Sequence, residues 1–365
     1  MKVCIIGSRN LNGMTLMSIY TDIFEKYKIE YDIIYMNHLG IKENSKARKL
    51  FPFVAKKKDF GNKYLNFIYD QFELRRFRHY AINIIKKYRY DYYVLWIENM
   101  GYIFGNYMSK NFKGRYSVNI RDIWNHNYSF IVKPFSKAVE NSSVNTVSSP
   151  EFIKHLPKAD YLFVHSANLQ IVNKIVRSTH RKEDRPIVIT NVGTFRNDSY
   201  CFALVDALAN DDRYILKFIG NGSERMSDYC KQNNYSNVFC SGSFSPSETA
   251  LKFEDADIIN CAYGSESKAE TAKIPIRLYY AIYRGTPILC TQGTQICVFA
   301  TKLKAAIVIP EQIEKINLAD MIFKQFNEIN YDIMISNMDI MKNEIEESHD
   351  KLEKKVCEAL GITYR

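Results

Sequence analysis

The densest group of polar side chains in the first half of the sequence lies at residues 119–126, after a short apolar run. Asp122 and His126 stand four residues apart in it. A carboxylate beside an imidazole can supply a general base and the group that orients it, so we interpret this pair as candidate catalytic residues. The alternative is structural, because Arg121 can pair with the carboxylate and Trp124 can pack in a core.

A second candidate is the polar loop that follows the first apolar run of the chain. Its glycines are too far apart for the G-x-G-x-x-G pattern, and no acidic residue follows at the usual distance, so no dinucleotide site is predicted. We expect a flexible loop that faces a ligand-binding cleft, and the alternative is a simple turn. Its candidate residues are Gly7, Ser8, Asn12 and Gly13.

Gly220, Asn221 and Gly222 follow an apolar run in the second half and precede a helical pattern. Two glycines let the backbone approach a ligand closely, and the amino end of a helix favours a phosphate. The sequence therefore predicts a phosphate-binding loop here, and the alternative is a tight turn between strand and helix.

The most distinctive segment is residues 273–287, where Pro275 suits the first turn of a helix and Gly285 suits its end. Arg277 falls in that first turn, where the helix dipole disfavours a cation unless an anion neutralises it. A diphosphate would do so through bidentate contacts. The alternative is a surface arginine that points away.

Short apolar runs alternate with helical patterns along the chain, and they do so twice. This alternation predicts two doubly wound, Rossmann-like α/β domains that face a cleft. The charged, aperiodic stretch 180–186 suits a linker between them. We expect domains at 1–180 and 186–335, with a C-terminal helix at 336–365 that packs back toward the first domain.

The composition is that of a globular protein, with 365 residues of which 46% are apolar. The eight cysteines show no C-x-x-C spacing and no matching histidine pair, so neither a metal site nor a disulfide scaffold is predicted. The sequence shows no signal-peptide core and no apolar stretch near the roughly 18 residues of a spanning helix. We expect a cytoplasmic protein, at most peripheral on the inner face of the cell membrane.

The charge is divided unevenly. Residues 1–185 hold 31 lysines and arginines against 16 acidic residues, whereas residues 186–365 hold 19 against 24. The excess is concentrated between Lys42 and Arg89. Such a patch attracts nucleic acid, anionic lipid or a phosphorylated substrate. The alternative is a solvated basic face.

The second half resembles the donor domain of GT-B glycosyltransferases, especially those that assemble bacterial capsule, O-antigen and exopolysaccharide sugars. Five loose motifs occur in the family's order, and residues 120–124 are similar to an R-D-l-W stretch of some members. The five motifs lie at residues 192–196, 218–222, 237–242, 253–258 and 274–288.

The resemblance implies a nucleotide-sugar site that needs no metal and no cofactor, in which Arg196, Arg277 and the glycine loop stabilise the leaving diphosphate. Tyr280 stands where the family commonly has a ribose-binding Glu, and the family's E-x7-E pair is absent. Glu266 and Glu270 are the possible substitutes. The implied donor-binding residues are Gly193, Thr194, Arg196, Gly220, Asn221, Gly222, Glu266, Glu270, Arg277 and Tyr280.

The resemblance thus implies a metal-independent, hexosyltransferase-type enzyme. It would move a sugar from a nucleoside diphosphate to a saccharide or polyprenyl-diphosphate-linked acceptor in surface polysaccharide assembly. The donor would lie on the domain 186–335, and the acceptor on the domain 1–180, near residues 8–13 and 122–126. The basic region from Lys42 to Arg89 would hold it to an anionic membrane, and no nucleic acid partner is expected. Two alternatives stay open: a nucleotide-sugar epimerase of the same architecture, and a non-catalytic basic binding protein.

Overall fold

The computed structural model describes residues 1–56, 58–123, 128–178, 185–195, 198–263, 268–313 and 317–365. The chain forms two compact units. The first contains Met1–His165 together with Glu347–Arg365, and the second is Ser166–Glu346.

The first unit is built on a seven-stranded sheet in which every neighbouring pair is parallel. The strand order is β3-β2-β1-β4-β5-β6-β7, so the order reverses between β1 and β4. The strands are β1 (Lys2–Gly7), β2 (Glu30–Asn37), β3 (Lys49–Val54), β4 (Tyr92–Trp96), β5 (Tyr116–Ile120), β6 (Val144–Val147) and β7 (Leu162–Phe163).

Strands β4 and β5 are buried along their whole length, as expected of parallel strands covered on both faces. The edge strand β3 is different, because it is partly exposed and contains Pro52. A proline cannot donate a backbone hydrogen bond to a neighbour and is therefore confined to such edges. That proline and the lack of a continuous buried run explain why the sequence pattern did not reveal this strand.

The helices of the first unit are α1 (Ser18–Lys26), α2 (Lys63–Tyr88), α3 (Glu98–Asn111) and α4 (Ser129–Asn141). Two of them approach closely at a glycine. A Cβ on Gly105 of α3 would lie 2.0 Å from the carbonyl oxygen of Pro134 in α4. The two backbones can meet there only because position 105 carries no side chain.

The second unit has a six-stranded parallel sheet in the order β10-β9-β8-β11-β12-β13, which reverses between β8 and β11. Its strands are β8 (Ile187–Val192), β9 (Tyr214–Ile219), β10 (Val238–Ser241), β11 (Ile258–Asn260), β12 (Ile288–Thr291) and β13 (Ala306–Ile309). Its helices are α5 (Leu169–Val172), α6 (Asp198–Leu208), α7 (Glu224–Gln232), α8 (Lys268–Ala272), α9 (Arg277–Arg284), α10 (Gln295–Lys302) and α11 (Leu318–Glu328).

The last helix, α12 (Tyr331–Leu360), belongs to the second unit up to Glu346 and to the first from Glu347 onward. In the first unit, Glu353 of this helix accepts hydrogen bonds from Lys26 at 2.6 Å and from the Tyr27 hydroxyl at 2.7 Å. The end of the chain is thereby fixed to the end of α1.

The predicted pair of doubly wound α/β domains is confirmed by these two sheets. The expected linker at 180–186 lies almost entirely outside the described residues. Among the residues that are described, no helix is both long and apolar enough to cross a membrane. Within the same residues, no cluster of three or more His, Cys, Asp or Glu side chains is arranged to hold a metal ion.

Candidate functional site

In an open α/β sheet, ligands bind beyond the carboxyl ends of the strands, where the strand order reverses. In the second unit this point lies between β8 and β11, which are neighbours in the sheet. The predicted donor residues follow these two strands and β9. Gly193, Thr194, Gly220, Asn221 and Gly222, which directly follow β8 and β9, therefore share one edge of this sheet.

Gly193 and Gly220 end two adjacent strands, and their backbones are in contact. The amide of Gly193 donates to the carbonyl oxygen of Ile219 at 2.9 Å. A Cβ on Gly220 would lie 2.1 Å from the carbonyl oxygen of Gly193, and Gly220 has a φ of +137°. Position 220 therefore requires glycine for two reasons, steric room and backbone conformation.

The loop continues through Asn221, whose carbonyl oxygen accepts a hydrogen bond from the amide of Phe195 at 2.9 Å. Gly222 also has a positive φ, of +87°, and Ser223 precedes the first residue of α7. Gly193, Thr194 and Asn221 are exposed. The two predicted loops thus form one open, backbone-lined surface at the start of a helix, as an anion site requires.

Arg277 is the first residue of α9, and it is half-buried. Burial raises the pKa of the nearby Cys261 thiol to about 12, and the positive charge of Arg277 opposes that rise. Because Cys261 directly follows β11, the guanidinium lies at the same edge of the sheet as the glycine loops. Helix α9 ends at Gly285, which has the left-handed conformation predicted for it.

Tyr280 is buried on α9, with its ring 4.9 Å from that of Phe253, and burial raises its pKa to about 12. Glu270 lies in the short helix α8 and is half-buried. A ribose contact by either residue stays a prediction. Arg196 and Glu266 lie outside the described residues.

In the first unit, hydrogen bonds hold the loop after β1 to segments that follow the neighbouring strands β2 and β4. The Ser8 hydroxyl and the Asn99 amide oxygen are 3.0 Å apart. Asn10 donates to Glu43 at 2.9 Å, and the amide of Asn12 donates to the same carboxylate at 3.2 Å. The expectation of a flexible loop is therefore wrong, because a polar network fixes it. Gly7 lies where a Cβ would meet the side chain of Met14 at 2.5 Å, whereas Asn12 and Gly13 are exposed.

The most unusual group at the carboxyl ends of these strands is Glu98. It is the first residue of α3 and follows Ile97, the residue directly after β4. Its side chain is buried. Its Oε2 atom accepts hydrogen bonds from the amides of Arg121 and Asp122 at 3.3 and 3.2 Å. Burial, and then the negative charge of Asp122, raise the pKa of Glu98 to about 7. A carboxyl group with such a pKa can accept or release a proton near neutral pH.

The backbone holds Glu98 in place at a conformational cost. Ile97, a β-branched residue, has a φ of +79°, which is a genuine outlier for its type. Such strain persists only where surrounding contacts enforce it, and it is concentrated at functional sites. Asp122 is half-buried beside Glu98, and its Oδ1 accepts from the amide of Ile123 at 2.9 Å. His126 and Trp124 lie outside the described residues, so the predicted pairing of Asp122 with His126 stays a prediction.

Sequence reasoning missed Glu98, although a signal was present. An acidic residue directly after the apolar run 92–97 stands at the carboxyl end of a predicted strand. The strand order was not known from the sequence, and only that order shows that β4 adjoins β1 at the reversal point. The position of Glu98 at a ligand-binding edge follows from topology rather than from any motif.

No family model and no curated protein sequence matches this chain. Solved structures do. WaaG, described as a glycosyltransferase involved in lipopolysaccharide biosynthesis, has a TM-score of 0.63 at 10% identity, covering 97% of this chain and 98% of its own. HepE from Anabaena, solved in complex with UDP, has a TM-score of 0.65 at 11% identity, covering 98% and 100%. Sucrose-phosphate synthase from Thermosynechococcus elongatus has a TM-score of 0.61 at 12% identity, covering 95% and 100%.

At identities this low, a structural likeness establishes architecture alone. The likeness extends over nearly the whole chain in each comparison, and both parallel sheets are included. The chain therefore has the GT-B fold of these glycosyltransferases, with two parallel-sheet α/β domains.

Proposed function

We propose that this protein is a glycosyltransferase that moves a sugar from a nucleoside diphosphate donor to a saccharide acceptor. One observation carries the proposal: the backbone contact between Gly193 and Gly220, at the same sheet edge as Arg277. This arrangement offers the amino terminus of α7 and a guanidinium to a diphosphate, beside a loop whose glycines let the ligand approach closely.

The chemical demand of the reaction is the negative charge that develops on the leaving diphosphate. Fixed dipoles and cations that meet this charge in the transition state lower the barrier. Arg277 would supply a bidentate contact, and Arg196 a second cation. With these groups the reaction needs no metal ion. Glu270 and Glu266 remain our candidates for the donor's hydroxyl groups, together with Tyr280.

On the acceptor side, we propose that the carboxyl pair of Glu98 and Asp122 accepts the proton that the acceptor hydroxyl loses. In an inverting transfer, the acceptor hydroxyl oxygen bonds to the anomeric carbon as the bond from that carbon to the diphosphate oxygen breaks. The hydroxyl proton passes to a carboxylate, and Glu98 is suited to receive it because its pKa is about 7. A retaining transfer would not require this base.

We propose a hexosyl donor and an acceptor carried on a polyprenyl diphosphate, in the assembly of a surface polysaccharide at the inner face of the cell membrane. The basic segment from Lys42 to Arg89 supports this setting, because an anionic leaflet and a diphosphate carrier both attract cations.

The test of the donor site is thermal stabilisation by a panel of nucleoside diphosphates and their sugars. A ligand at a hundred times its dissociation constant adds roughly 2.7 kcal/mol to the free energy of unfolding. We expect one nucleotide base to give this shift, Arg277→Ala to abolish it, and Lys231→Ala, a cation removed elsewhere in the second unit, to retain it. A panel without any shift contradicts the proposal.

Product analysis with the nucleotide sugar that binds then separates the two enzyme classes. A transferase consumes the donor only when an acceptor is present, and Glu98→Gln should lower its kcat by roughly a hundredfold if the reaction inverts. Conversion of the sugar to its epimer without an acceptor would instead establish the epimerase alternative.

A further inference from the structure

The outer side of the first half of α2 is apolar and exposed to solvent. Tyr64, Ile68 and Phe72 are spaced four residues apart, so they stack on one side of the helix, and Leu65 lies beside them. Their exposed fractions are 80% for Tyr64, 62% for Ile68, 56% for Phe72 and 50% for Leu65. We call these four residues the apolar face of α2.

The opposite side of the helix is fixed to the first unit, mainly through its second half. Phe77 is fully buried, with its ring 5.7 Å from that of Phe53 and 6.3 Å from that of Phe104. Ala81 and Ile85 are buried on the same side. These contacts hold α2 to the unit through residues other than those of the apolar face.

Aromatic neighbours extend the apolar surface beyond the helix. The ring of Phe60 lies 5.6 Å from that of Tyr69, and the ring of Phe67 lies 5.9 Å from that of Tyr128. Phe60, Tyr128 and Phe130 are themselves about half exposed. Exposed apolar side chains gathered in this way mark a binding site for another molecule.

Cations continue and border the same surface. Arg75 and Lys86 lie on the solvent side of α2 beyond Phe72, and both are exposed. The guanidinium of Arg76 lies 5.9 Å from the ring of Phe72, and Lys58 lies 5.8 Å from the ring of Tyr69. From residue 56 to 89 the sequence has ten lysines and arginines and three acidic residues.

We propose that the apolar face of α2 docks on an anionic phospholipid surface, with its side chains entering the boundary between headgroups and acyl chains. An exposed apolar stripe followed by cations is the pattern of interfacial helices. A second copy of the chain fits less well, because docking would bring two cationic surfaces together. Single-stranded nucleic acid fits less well because aliphatic Leu65 and Ile68 offer no ring on which a base could stack.

Docking through α2 would place the proposed transferase at a membrane surface. It rests on the proposed function only for the choice of a bacterial inner-leaflet lipid. It uses residues of the first unit alone. Donor binding, which we assign to the second unit, is therefore a separate observable, and either proposal can fail without the other.

The experiment is co-sedimentation of the whole protein with vesicles of phosphatidylcholine, with and without about 30 mol% phosphatidylglycerol. We expect binding to the anionic vesicles and little to the neutral ones. The variant Ile68→Ser with Phe72→Ser should bind at least about tenfold more weakly. Each substitution removes the favourable free energy of moving an apolar side chain from water into the membrane. Arg75→Gln with Lys86→Gln and Lys87→Gln should weaken binding by on the order of a hundredfold.

The matched control is Leu251→Ser with Val298→Ser, which removes two equally exposed apolar side chains from the second unit and should bind like the wild type. Equal binding by the wild type and Ile68→Ser with Phe72→Ser would overturn the proposal. So would a wild-type dimer that this variant converts to monomer without any vesicle binding. Nucleic acid that co-purifies and is released by nuclease, with no lipid binding, would assign the surface to a different partner.

Discussion

At the scale of single residues, Gly220 is central to the candidate site of the second unit and Glu98 to that of the first. The two residues differ in how far the sequence reveals them. Gly220 lies in a visible glycine pattern, and the structure adds the reason: its backbone touches that of Gly193. Glu98 belongs to no pattern. Its properties come from burial and from Asp122, a residue 24 positions away, so no local reading of the sequence reveals them.

Gly220→Ala should destabilise the protein by about 3 kcal/mol and abolish nucleotide binding, because the new Cβ overlaps the Gly193 carbonyl in addition to adopting an unfavourable φ. Gly293→Ala is the matched control. Gly293 also has a positive φ, of +77°, but nothing lies within 4 Å of its Cβ position. It should cost about 1 kcal/mol and leave the nucleotide-induced shift intact, as measured by thermal unfolding. Equal effects of the two substitutions would contradict the close contact.

Glu98 should make the stability of the protein fall as the pH rises through neutrality. Its pKa is about 7 in the folded state against an ordinary value of 4.5, so between these values the folded state holds a proton that the unfolded chain has released. Between about pH 6 and pH 8, the wild type should lose about 1 kcal/mol that Glu98→Gln retains.

The measurement is denaturant unfolding of both proteins across this pH range. Asp122→Asn serves as a second comparison, because it removes the charge that repels the Glu98 carboxylate. It should move the loss of stability to lower pH. Parallel pH profiles for the wild type and Glu98→Gln would show that Glu98 titrates as an ordinary exposed carboxyl.

At the scale of secondary-structure elements, the sequence predicted most of the buried strands. Short β-rich runs at residues 116–120 and 214–219 predict strands, and β5 and β9 lie at those residues. The strands that the sequence did not predict are β3, β6 and β13. β6 was missed although its four residues are all buried, because polar Asn145 and Thr146 interrupt its apolar run. β3 contains a proline at a sheet edge, and β13 alternates between buried and half-buried positions. Short strands of this kind are decided by tertiary neighbours rather than by local pattern.

The contact between α3 and α4 gives a prediction at this scale. Gly105→Ala should lower the free energy of unfolding by about 3 kcal/mol, because its Cβ would lie 2.0 Å from the Pro134 carbonyl oxygen and the helices must separate. Asn106→Ala, an exposed change at the next position of the same helix, should be near neutral. Denaturant unfolding measures both, and a stable Gly105→Ala protein would show that the two helices are further apart.

At the scale of the whole molecule, the second unit was easier to interpret from the sequence than the first. Two of the ordered motifs of the second unit, at residues 192–196 and 218–222, begin at the carboxyl ends of β8 and β9. The first unit instead has a polar network whose partners come from distant segments. Ser8 contacts Asn99, and Asn10 donates to Glu43. No sequence spacing predicts either contact. Hydrogen-bond partners across a sheet edge depend on strand order, which sequence patterns leave open.

The assignment of the donor to the second unit predicts where a nucleotide slows hydrogen exchange. Backbone amides in residues 193–195 and 220–223 should gain protection, and so should those that follow β11 at Cys261 and Ala262. Hydrogen-exchange mass spectrometry with and without the nucleotide measures this. Stabilisation by a nucleotide without slower exchange in these peptides would place its site elsewhere.

The division of the chain also bears on synthesis at the ribosome. The second unit is one uninterrupted segment, Ser166–Glu346, but the first unit needs Glu347–Arg365, which is translated after it. Lys26 and Tyr27 meet Glu353 only when that last stretch has emerged. Nascent domains commonly fold in order from the N-terminus. In this protein the second unit has its complete sequence first, whereas the first unit lacks its segment Glu347–Arg365 until that later stretch is translated.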